Sequence, residues 1–177
     1  MNGGQTQWYV ITGGPSSGKT TTIGLLRARG FATTHETARA IIEEELDLGR
    51  ELAEIRADGD AFQLQILHRQ VALEATLNPE DLVFLDRGIP DGLAYERFLG
   101  LQANPELVAA AQKTRYRKVF LLDLLPLEGD DSRIENEAQQ REIQKHLLAT
   151  YTELGFDVVT VPVMAPGERA QFILDRL

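Results

Sequence analysis

The chain has 177 residues, 43% of them hydrophobic, which suits one well-formed core and is short for two, so a single domain over residues 1–177 is expected. The formal net charge of −9 means that most of the surface repels a nucleic-acid backbone, and no nucleic-acid partner is expected. The absence of cysteine excludes a disulfide framework, zinc–thiolate sites and thiol catalysis.

Apolar, β-branched runs alternate with helical patterns along the chain. The runs predict five strands, at Trp8–Thr12, Phe31–Thr34, Leu82–Asp86, Val119–Asp123 and Val158–Val161. The segments between them predict helices at Thr20–Arg29, Glu36–Leu48, Asp60–Leu77, Asp91–Leu99, Pro105–Arg115, Ile134–Leu154 and Gly167–Leu177. Strands separated by helices predict an α/β fold with a parallel sheet covered on both faces.

A phosphate-loop motif follows the first predicted strand directly. The sequence Gly13-Gly14-Pro15-Ser16-Ser17-Gly18-Lys19-Thr20 fits G-x-x-x-x-G-K-[ST], in which backbone N–H groups surround phosphates, the lysine reaches the β- and γ-phosphates and the hydroxyl meets Mg²⁺. The helix that starts there adds its positive N-terminus. We therefore predict that residues from Gly13 to Thr21 bind a nucleoside triphosphate; the alternative is a Gly/Ser-rich surface turn.

The third predicted strand ends in Asp86-Arg87-Gly88. A carboxylate at this end of a strand could hold Mg²⁺, or accept a proton from an attacking hydroxyl. The guanidinium group of Arg87 could donate two parallel hydrogen bonds to a phosphate or another anion. The structural alternative is that Asp86 only caps the following helix. Asp123, which ends the fourth predicted strand, is a reserve candidate, but apolar residues rather than Arg-Gly follow it.

Two interpretations of the segment after the second strand are equally supported. Thr33 and Glu36 have the spacing of a capping box, a purely structural role. Alternatively, Glu36 and Arg39 line the side of the cleft that binds the phosphate acceptor.

A polar, glycine-bearing loop follows the fourth strand and predicts a lid over about residues 126–141. Arg133, Glu137 and Arg141 are spaced by four, so they share one helix face and could bring two guanidinium groups over a triphosphate. The same spacing also produces ordinary surface ion pairs. The one dense basic stretch, Lys113–Lys118, is where a polyanion could be met, but it ends a predicted helix just before a strand, where cations are favourable, and this structural interpretation is preferred.

The sequence shows no pattern typical of a membrane span, a signal peptide or a histidine metal site. The sequence has no apolar run long enough to cross a bilayer, and its first five residues lack the pattern of a signal peptide, so a cytoplasmic protein without membrane contacts is expected. His35, His68 and His146 are too scattered to suggest a ligand set. Any metal is expected to be Mg²⁺ brought with the nucleotide.

Taken together, these motifs resemble the P-loop kinases of the nucleoside and nucleotide kinase group. The resemblance implies a three-layer P-loop NTPase fold: a five-stranded parallel sheet in the order 2-3-1-4-5, helices on both faces and a lid after strand 4. More narrowly, Gly13–Thr20, Glu36–Arg39, Asp86–Gly88 and Asp131-x-Arg133-x-Glu135 resemble small ATP-binding proteins grouped under an AAA-domain label, which are related to nicotinamide riboside kinase modules. The resemblance also implies that Val163–Pro166 lies near the nucleotide base.

The leading functional hypothesis is an ATP-dependent phosphotransferase acting on a small metabolite, nucleoside or nucleotide. Lys19, Asp86, Arg87, Arg133 and Arg141 are its candidate catalytic residues, and Thr20 and Asp86 its candidate Mg²⁺ ligands. Glu36, Arg39 and Arg87 would bind the acceptor, with either Asp86 or Glu36 as the base. The alternative is a regulatory switch that hydrolyses ATP or GTP slowly and binds a protein partner. GTP remains possible, although no N-K-x-D guanine motif is present; the oligomeric state is left open.

Overall fold

The computed structural model describes residues 4–55, 57–126 and 136–177, which form five strands and eight helices. The strands are β1 (Trp8–Thr12), β2 (Ala32–Thr33), β3 (Val83–Asp86), β4 (Lys118–Leu122) and β5 (Val158–Val161). The helices are α1 (Lys19–Ala28), α2 (Thr37–Asp47), α3 (Leu52–Ile55), α4 (Gly59–Ala75), α5 (Ile89–Leu99), α6 (Pro105–Lys113), α7 (Glu137–Glu153) and α8 (Pro166–Leu174).

All five strands pair in parallel in the order β2-β3-β1-β4-β5, which confirms the predicted sheet. The central strand β1 is buried throughout, because helices cover both faces of a parallel sheet. In the register of β1 and β3, Ile11 pairs with Asp86. The last residue of β3 therefore lies beside the end of β1, from which the phosphate loop departs.

The two faces of the sheet carry separate apolar clusters, as the alternation of side chains in strands requires. On one face, Tyr9, Ile11 and Phe84 pack with Ile23 of α1 and Ile173 of α8. On the other face, the cluster combines strand residues with two buried tyrosines; its members are Trp8, Val10, Val83, Leu85, Tyr116, Val119 and Tyr151. The result is the three-layer arrangement expected from the sequence.

The predicted element boundaries differ from the observed ones by a few residues. Strand β2 is only two residues long, and α3 was not predicted as a separate helix. Helix α5 begins at Ile89, earlier than expected, because Pro90 suits a first helical turn and the Asp91 side chain accepts a hydrogen bond from Gly88 N. Arg133 and most of the predicted lid at 126–141 lie outside the described residues.

No helix within 4–55, 57–126 or 136–177 has both the length and the apolar character needed to span a bilayer.

Candidate active site

The phosphate loop has the left-handed backbone turns that its glycines permit. Gly13 has φ +150° and Gly18 has φ +82°, and Ser16 adopts φ +64° between them. A Cβ on Gly13 would lie 2.7 Å from Ser17 Oγ and 2.8 Å from the Leu122 carbonyl oxygen, so no larger residue fits. Gly13 is therefore fixed both by its backbone angle and by the close approach of β4.

Lys19 is buried within this loop. Its Nζ donates hydrogen bonds to the carbonyl oxygens of Gly13, at 3.1 Å, and Gly14, at 3.4 Å. Burial and the nearby Arg87 guanidinium lower the pKa of Lys19 to about 8, although Glu36, Asp86 and Asp91 act in the opposite direction. The two carbonyl oxygens hold the Lys19 ammonium group in place, while burial makes its positive charge less stable. A bound phosphate would stabilise that charge.

Side chains of α7 and α8, which follow much later in the sequence, form hydrogen bonds with the phosphate loop and with the ends of neighbouring strands. Gln144 of α7 accepts a hydrogen bond from Gly14 N at 2.8 Å and donates one to the Leu122 carbonyl at 3.0 Å. Arg169 of α8, only 2% exposed, donates to the carbonyls of Ser17, Asp123 and Pro162. These bonds join the loop to the ends of β4 and β5 and hold its shape without a ligand.

Asp86 ends β3 in a buried position. Its N–H donates to Thr34 Oγ1 at 2.9 Å, and its Oδ1 has no hydrogen-bond partner among the described residues. Burial and the neighbouring Glu36 carboxylate raise the pKa of Asp86 to about 6, against the opposing effect of Lys19 and Arg87. An orphaned carboxylate oxygen beside the phosphate loop suits a hard cation such as Mg²⁺, so the side chain fits the predicted metal role better than a helix cap.

Arg87 and Glu36 form an ion pair, with Nε and Oε1 2.7 Å apart. Arg87 Nη1 also contacts Asp91 Oδ1 at 3.0 Å, and the guanidinium carbon lies 5.3 Å from the centre of the Tyr95 ring. Burial raises the pKa of Glu36, but Arg87 and Lys19 lower it more, to about 2. Burial likewise opposes the charge of Arg87, but Tyr95, Glu36 and Asp91 keep its pKa well above the usual value. Both groups are ionised at neutral pH.

Asp91 connects this ion pair to the sheet. Besides Arg87, it accepts hydrogen bonds from Thr12 Oγ1 at 2.6 Å, from Gly88 N at 3.1 Å and from the hydroxyl of Tyr151. The carboxylate is 4% exposed, and its acceptor sites are satisfied by four donors. Asp91 thus fixes the position of Arg87 relative to β1 and α7.

A second buried network of hydrogen bonds links the starts of α2 and α5 to α4. Gln70 of α4 accepts a hydrogen bond from Thr37 Oγ1 at 2.5 Å and donates one to Glu74 at 2.9 Å. Glu74 also accepts a bond from the Tyr116 hydroxyl, which itself accepts one from Ile89 N. Burial raises the pKa of Glu74. The network joins the starts of α2 and α5 to α4 and to the segment before β4.

A cavity of about 820 Å³ opens beside the phosphate loop. Its polar end includes Lys19, Thr20, Glu36, Arg87 and Asp91, and its other walls come from α2, α4 and α5 together with Leu101 and Leu107. Since this is the carboxyl edge of the parallel sheet, the cavity lies where ligands of such folds bind.

The structure brings together most of the residues predicted from the sequence. Lys19, Glu36 and Arg87 line one end of the cavity, Asp86 is buried near Lys19, and Thr20 and Thr21 are exposed in the first turn of α1. Arg39 lines the cavity, where its Nε is 3.7 Å from Glu43.

The capping box of Thr33 and Glu36 does not form: Thr33 Oγ1 accepts a bond from Arg27, and Glu36 instead binds Arg87. Neither Asp86 nor the reserve candidate Asp123 lines the cavity, and the carbonyl oxygen of Asp123 accepts a hydrogen bond from Arg169. The preference for Asp86 over Asp123 stays a prediction.

Arg141 is not among the cavity-lining residues. It is exposed on α7 and pairs with Glu137, the surface arrangement that its spacing also allowed. Its role in a lid stays a prediction, as does that of Arg133.

Several site residues were missed by sequence reasoning. Asp91 had one usable signal, since an acid three residues after Gly88 at the start of a helix is typical of a cap. Gln63, Gln70, Tyr95 and Arg169 had none, because nothing in a helical pattern distinguishes a cavity-facing polar residue from a solvent-facing one.

The sheet order and the loop between β1 and α1 define the P-loop kinase fold. The sequence model of a family described as an AAA domain matches residues 8–169, and the chain belongs to this family. A comparison with curated proteins gave no match.

Solved structures with the same fold include three that span nearly all of this chain. A NadR protein in complex with NR superposes with a TM-score of 0.71 at 19% identity, over 96% of this chain and 49% of that one. Thymidylate kinase from Ehrlichia chaffeensis gives 0.67 at 14% identity, over 98% of both chains. Deoxyadenosine kinase from M. mycoides with bound dCTP gives 0.63 at 12% identity, over 96% and 97%. The chain thus spans about half the length of the NadR protein, and at these identities the likeness concerns the fold.

Proposed function

We propose that this protein is an ATP-dependent kinase that transfers the γ-phosphoryl group to a small-molecule acceptor. The observation that carries the proposal is the juxtaposition of Lys19 and the Arg87–Glu36 pair at the end of a cavity of about 820 Å³, with the buried Asp86 carboxylate close to both. A protein that only bound ATP would need the phosphate loop but not a cavity that extends from it and carries further charged side chains. The kinase fold and the family support this interpretation.

Each loop residue has a defined part in the proposed reaction. The backbone N–H groups from Gly13 to Thr21 would surround the phosphates, and the Lys19 ammonium would lie against the β- and γ-phosphate oxygens. Thr20 and Asp86 would hold the Mg²⁺ that accompanies ATP and offsets charge on those oxygens. ATP is the proposed phosphoryl donor, and GTP stays an open alternative.

Glu36 and Asp86 divide the two carboxylate roles. Glu36 lines the cavity and is ionised, so it is placed to accept a hydrogen bond from the acceptor hydroxyl, while Asp86 lies deeper, next to Lys19. The pKa of about 2 makes Glu36 a weak base. This is sufficient, since orientation of the nucleophile contributes more than proton abstraction when the transition state is loose.

In the transfer step, the acceptor oxygen bonds to the γ-phosphorus as the bond from that phosphorus to the β,γ-bridging oxygen breaks. The bonding electron pair leaves with ADP, and the hydroxyl proton passes to the Glu36 carboxylate. Arg87, held by Glu36 and Asp91, and Arg39 would contact the acceptor or the transferred group, and Arg133 and Arg141 would add positive charge from the lid.

The test is acceptor-dependent release of ADP. Purified protein with Mg-ATP is screened against a metabolite panel, and Lys19→Ala, Asp86→Asn and Glu36→Gln are run beside it. We expect ADP release that depends on one class of acceptor and falls by at least about a hundredfold in each variant. Firm ATP binding with a flat panel would contradict the proposal and favour the regulatory-switch alternative.

A further inference from the structure

A buried carboxylate on α4 has no cation to neutralise it. Glu74 is 8% exposed and does not line the cavity, and within the part of the chain that the structure describes no Lys or Arg lies in salt-bridge contact with it. A buried carboxylate without a cation is costly, and well-packed apolar side chains in place of buried charged groups are often at least as stable. Stability alone therefore does not account for Glu74.

Hydrogen-bond donors on both sides of Glu74 converge on one of its oxygens. Oε1 accepts a hydrogen bond from Gln70 Nε2 at 2.9 Å and another from the Tyr116 hydroxyl at 2.7 Å. Gln70 in turn accepts a bond from Thr37 Oγ1 at 2.5 Å, and the Tyr116 hydroxyl accepts one from Ile89 N at 3.0 Å. The Glu74 oxygen thus joins a chain of hydrogen bonds that begins at Thr37 to another that begins at Ile89.

Both chains of hydrogen bonds begin beside the ion pair at the polar end of the cavity. Thr37 follows Glu36 directly, and Ile89 lies two residues after Arg87. Gln70 Nε2 also donates a long hydrogen bond, of 3.5 Å, to the Arg87 carbonyl oxygen. The network therefore restrains the backbone next to each member of the Arg87–Glu36 pair.

The backbone of Arg87 needs such a restraint. Its φ of +68° lies in the left-handed region, which is costly for a residue with a side chain and persists only where the surrounding structure holds it. Before this residue, Arg87 N donates to the Ile11 carbonyl at 3.1 Å. After it, the Tyr116 ring packs so closely that a Cβ on Gly88 would lie 2.9 Å away. Without the contacts that follow it, Arg87 would be free to relax and to draw its guanidinium away from Glu36.

We propose that Glu74 is a positioning residue, which acts through its two chains of hydrogen bonds to hold the Arg87–Glu36 pair in place for phosphoryl transfer. This inference rests on the proposed kinase reaction and adds to it a residue that touches neither the nucleotide nor the acceptor. The phosphate loop is held by different side chains, those of Gln144 and Arg169. Disruption of the network should consequently slow the transfer step without weakening the binding of ATP.

The variants separate this role from a general effect on stability. Glu74→Met has a similar volume but no oxygen to accept the two hydrogen bonds, whereas Glu74→Gln keeps an acceptor oxygen and should rescue the function. Val83→Ala is the stability control, since Val83 belongs to the same buried cluster as Tyr116 but lies at the amino end of β3 and does not line the cavity. Should Glu74→Met not fold, Tyr116→Phe is measured in its place, because it removes the acceptor of Ile89 N.

The first measurement observes the Arg87 side chain in protein without ligand. Its Nε–H resonance in a nitrogen–proton correlation NMR spectrum is assigned by its absence from Arg87→Lys. The rate at which this proton exchanges with solvent reports the hydrogen bond to Glu36. We expect exchange to be at least about fivefold faster in Glu74→Met, and nearly unchanged in Glu74→Gln and Val83→Ala.

The second measurement is steady-state kinetics with Mg-ATP and the acceptor that the metabolite panel identifies. In Glu74→Met we expect kcat to fall at least about tenfold while KM for ATP stays within about twofold, because misplaced charged groups slow the reaction of a nucleotide that is still bound. Glu74→Gln and Val83→Ala should keep kcat within about threefold of the unsubstituted protein. A merely destabilised protein would not show this split between kcat and KM.

The outcomes separate this inference from the kinase proposal. If exchange of the Arg87 proton responds as expected but no acceptor releases ADP, the restraint on the ion pair stands and the kinase fails. If the protein is a kinase but Glu74→Met behaves like Val83→Ala in both measurements, the role of Glu74 is overturned while the kinase stands. An exchange rate that responds without a change in kcat, or one that does not respond at all, also overturns the inference.

Discussion

Glu36 Oε1 accepts a hydrogen bond from Arg87 Nε at 2.7 Å, although the two residues are 51 positions apart in the sequence. Glu36 precedes α2 and Arg87 follows β3, so the pair joins the acceptor-side wall to the end of the strand that carries Asp86. Arg87 has φ +68°, an uncommon conformation for a residue with a side chain. The ion pair with Glu36 and the bond to Asp91 hold it there.

Breaking this pair should destabilise the protein. Glu36→Ala leaves the guanidinium of Arg87, whose side chain is 13% exposed, with one carboxylate partner fewer, so we expect a loss of about 2–4 kcal/mol in the free energy of unfolding. Urea denaturation at pH 7.5 measures it. The exposed Arg69–Glu44 pair provides the control, because Glu44→Ala should change stability little. Equal losses in the two variants would show that burial of the Arg87–Glu36 pair has no energetic consequence.

Binding of ATP should take up protons near pH 8. Lys19 has a pKa of about 8 in the unliganded protein, so about half of the molecules carry an uncharged amine at that pH. The phosphates favour the ammonium form and raise this pKa. Calorimetry in buffers of different ionisation enthalpy should find uptake of up to about half a proton at pH 8 and less at pH 7. Lys19→Arg, where it still binds ATP, should lose the pH 8 uptake because a guanidinium is already protonated.

Asp86→Asn should stabilise the unliganded protein while removing its activity. The pKa of Asp86 is about 6 when folded, above its ordinary value of 3.8, so ionised Asp86 lowers stability as the pH rises from about 4 to 6. The variant should therefore gain up to about 3 kcal/mol in unfolding free energy at pH 7.5, with little gain below pH 4. Denaturation curves at the two pH values measure the difference. If the variant gained the same unfolding free energy at both pH values, the gain would not come from removal of the buried Asp86 charge.

Gly88→Ala should disrupt the junction of β3 and α5. A Cβ at Gly88 would lie 2.8 Å from the Tyr151 hydroxyl oxygen and 2.9 Å from the Tyr116 ring, both in the buried networks that position Arg87. We expect a loss of about 1–3 kcal/mol in stability and lower activity. Gly24→Ala is the matched control, since a Cβ at Gly24 would meet nothing within 4 Å and alanine favours a helix by about 0.5–1 kcal/mol. Thermal melts of both variants should shift in opposite directions.

Sequence reasoning located the polar end of the site but not its surroundings. The phosphate loop and Asp86-Arg87 depend on local patterns of glycine, lysine and strand-terminal acid, and the structure places them together. The capping box at Thr33 and Glu36 fitted the local pattern equally well and was wrong. Glu36 gains more from the buried Arg87 than from a backbone N–H, and that partner is remote in sequence.

The sequence by itself determined the alternation of strands and helices and the phosphate loop, because both follow from the chemistry of residues within a few positions of one another. Only the tertiary structure decided which charges are already neutralised. Asp91, Tyr151 and Arg169 meet their partners through packing across the sheet, and Gln63 has none among the described residues because its helix turns it into the cavity. Burial and pairing are properties of the whole fold, and they set the pKa values and the hydrogen-bonding capacity with which the site meets a ligand.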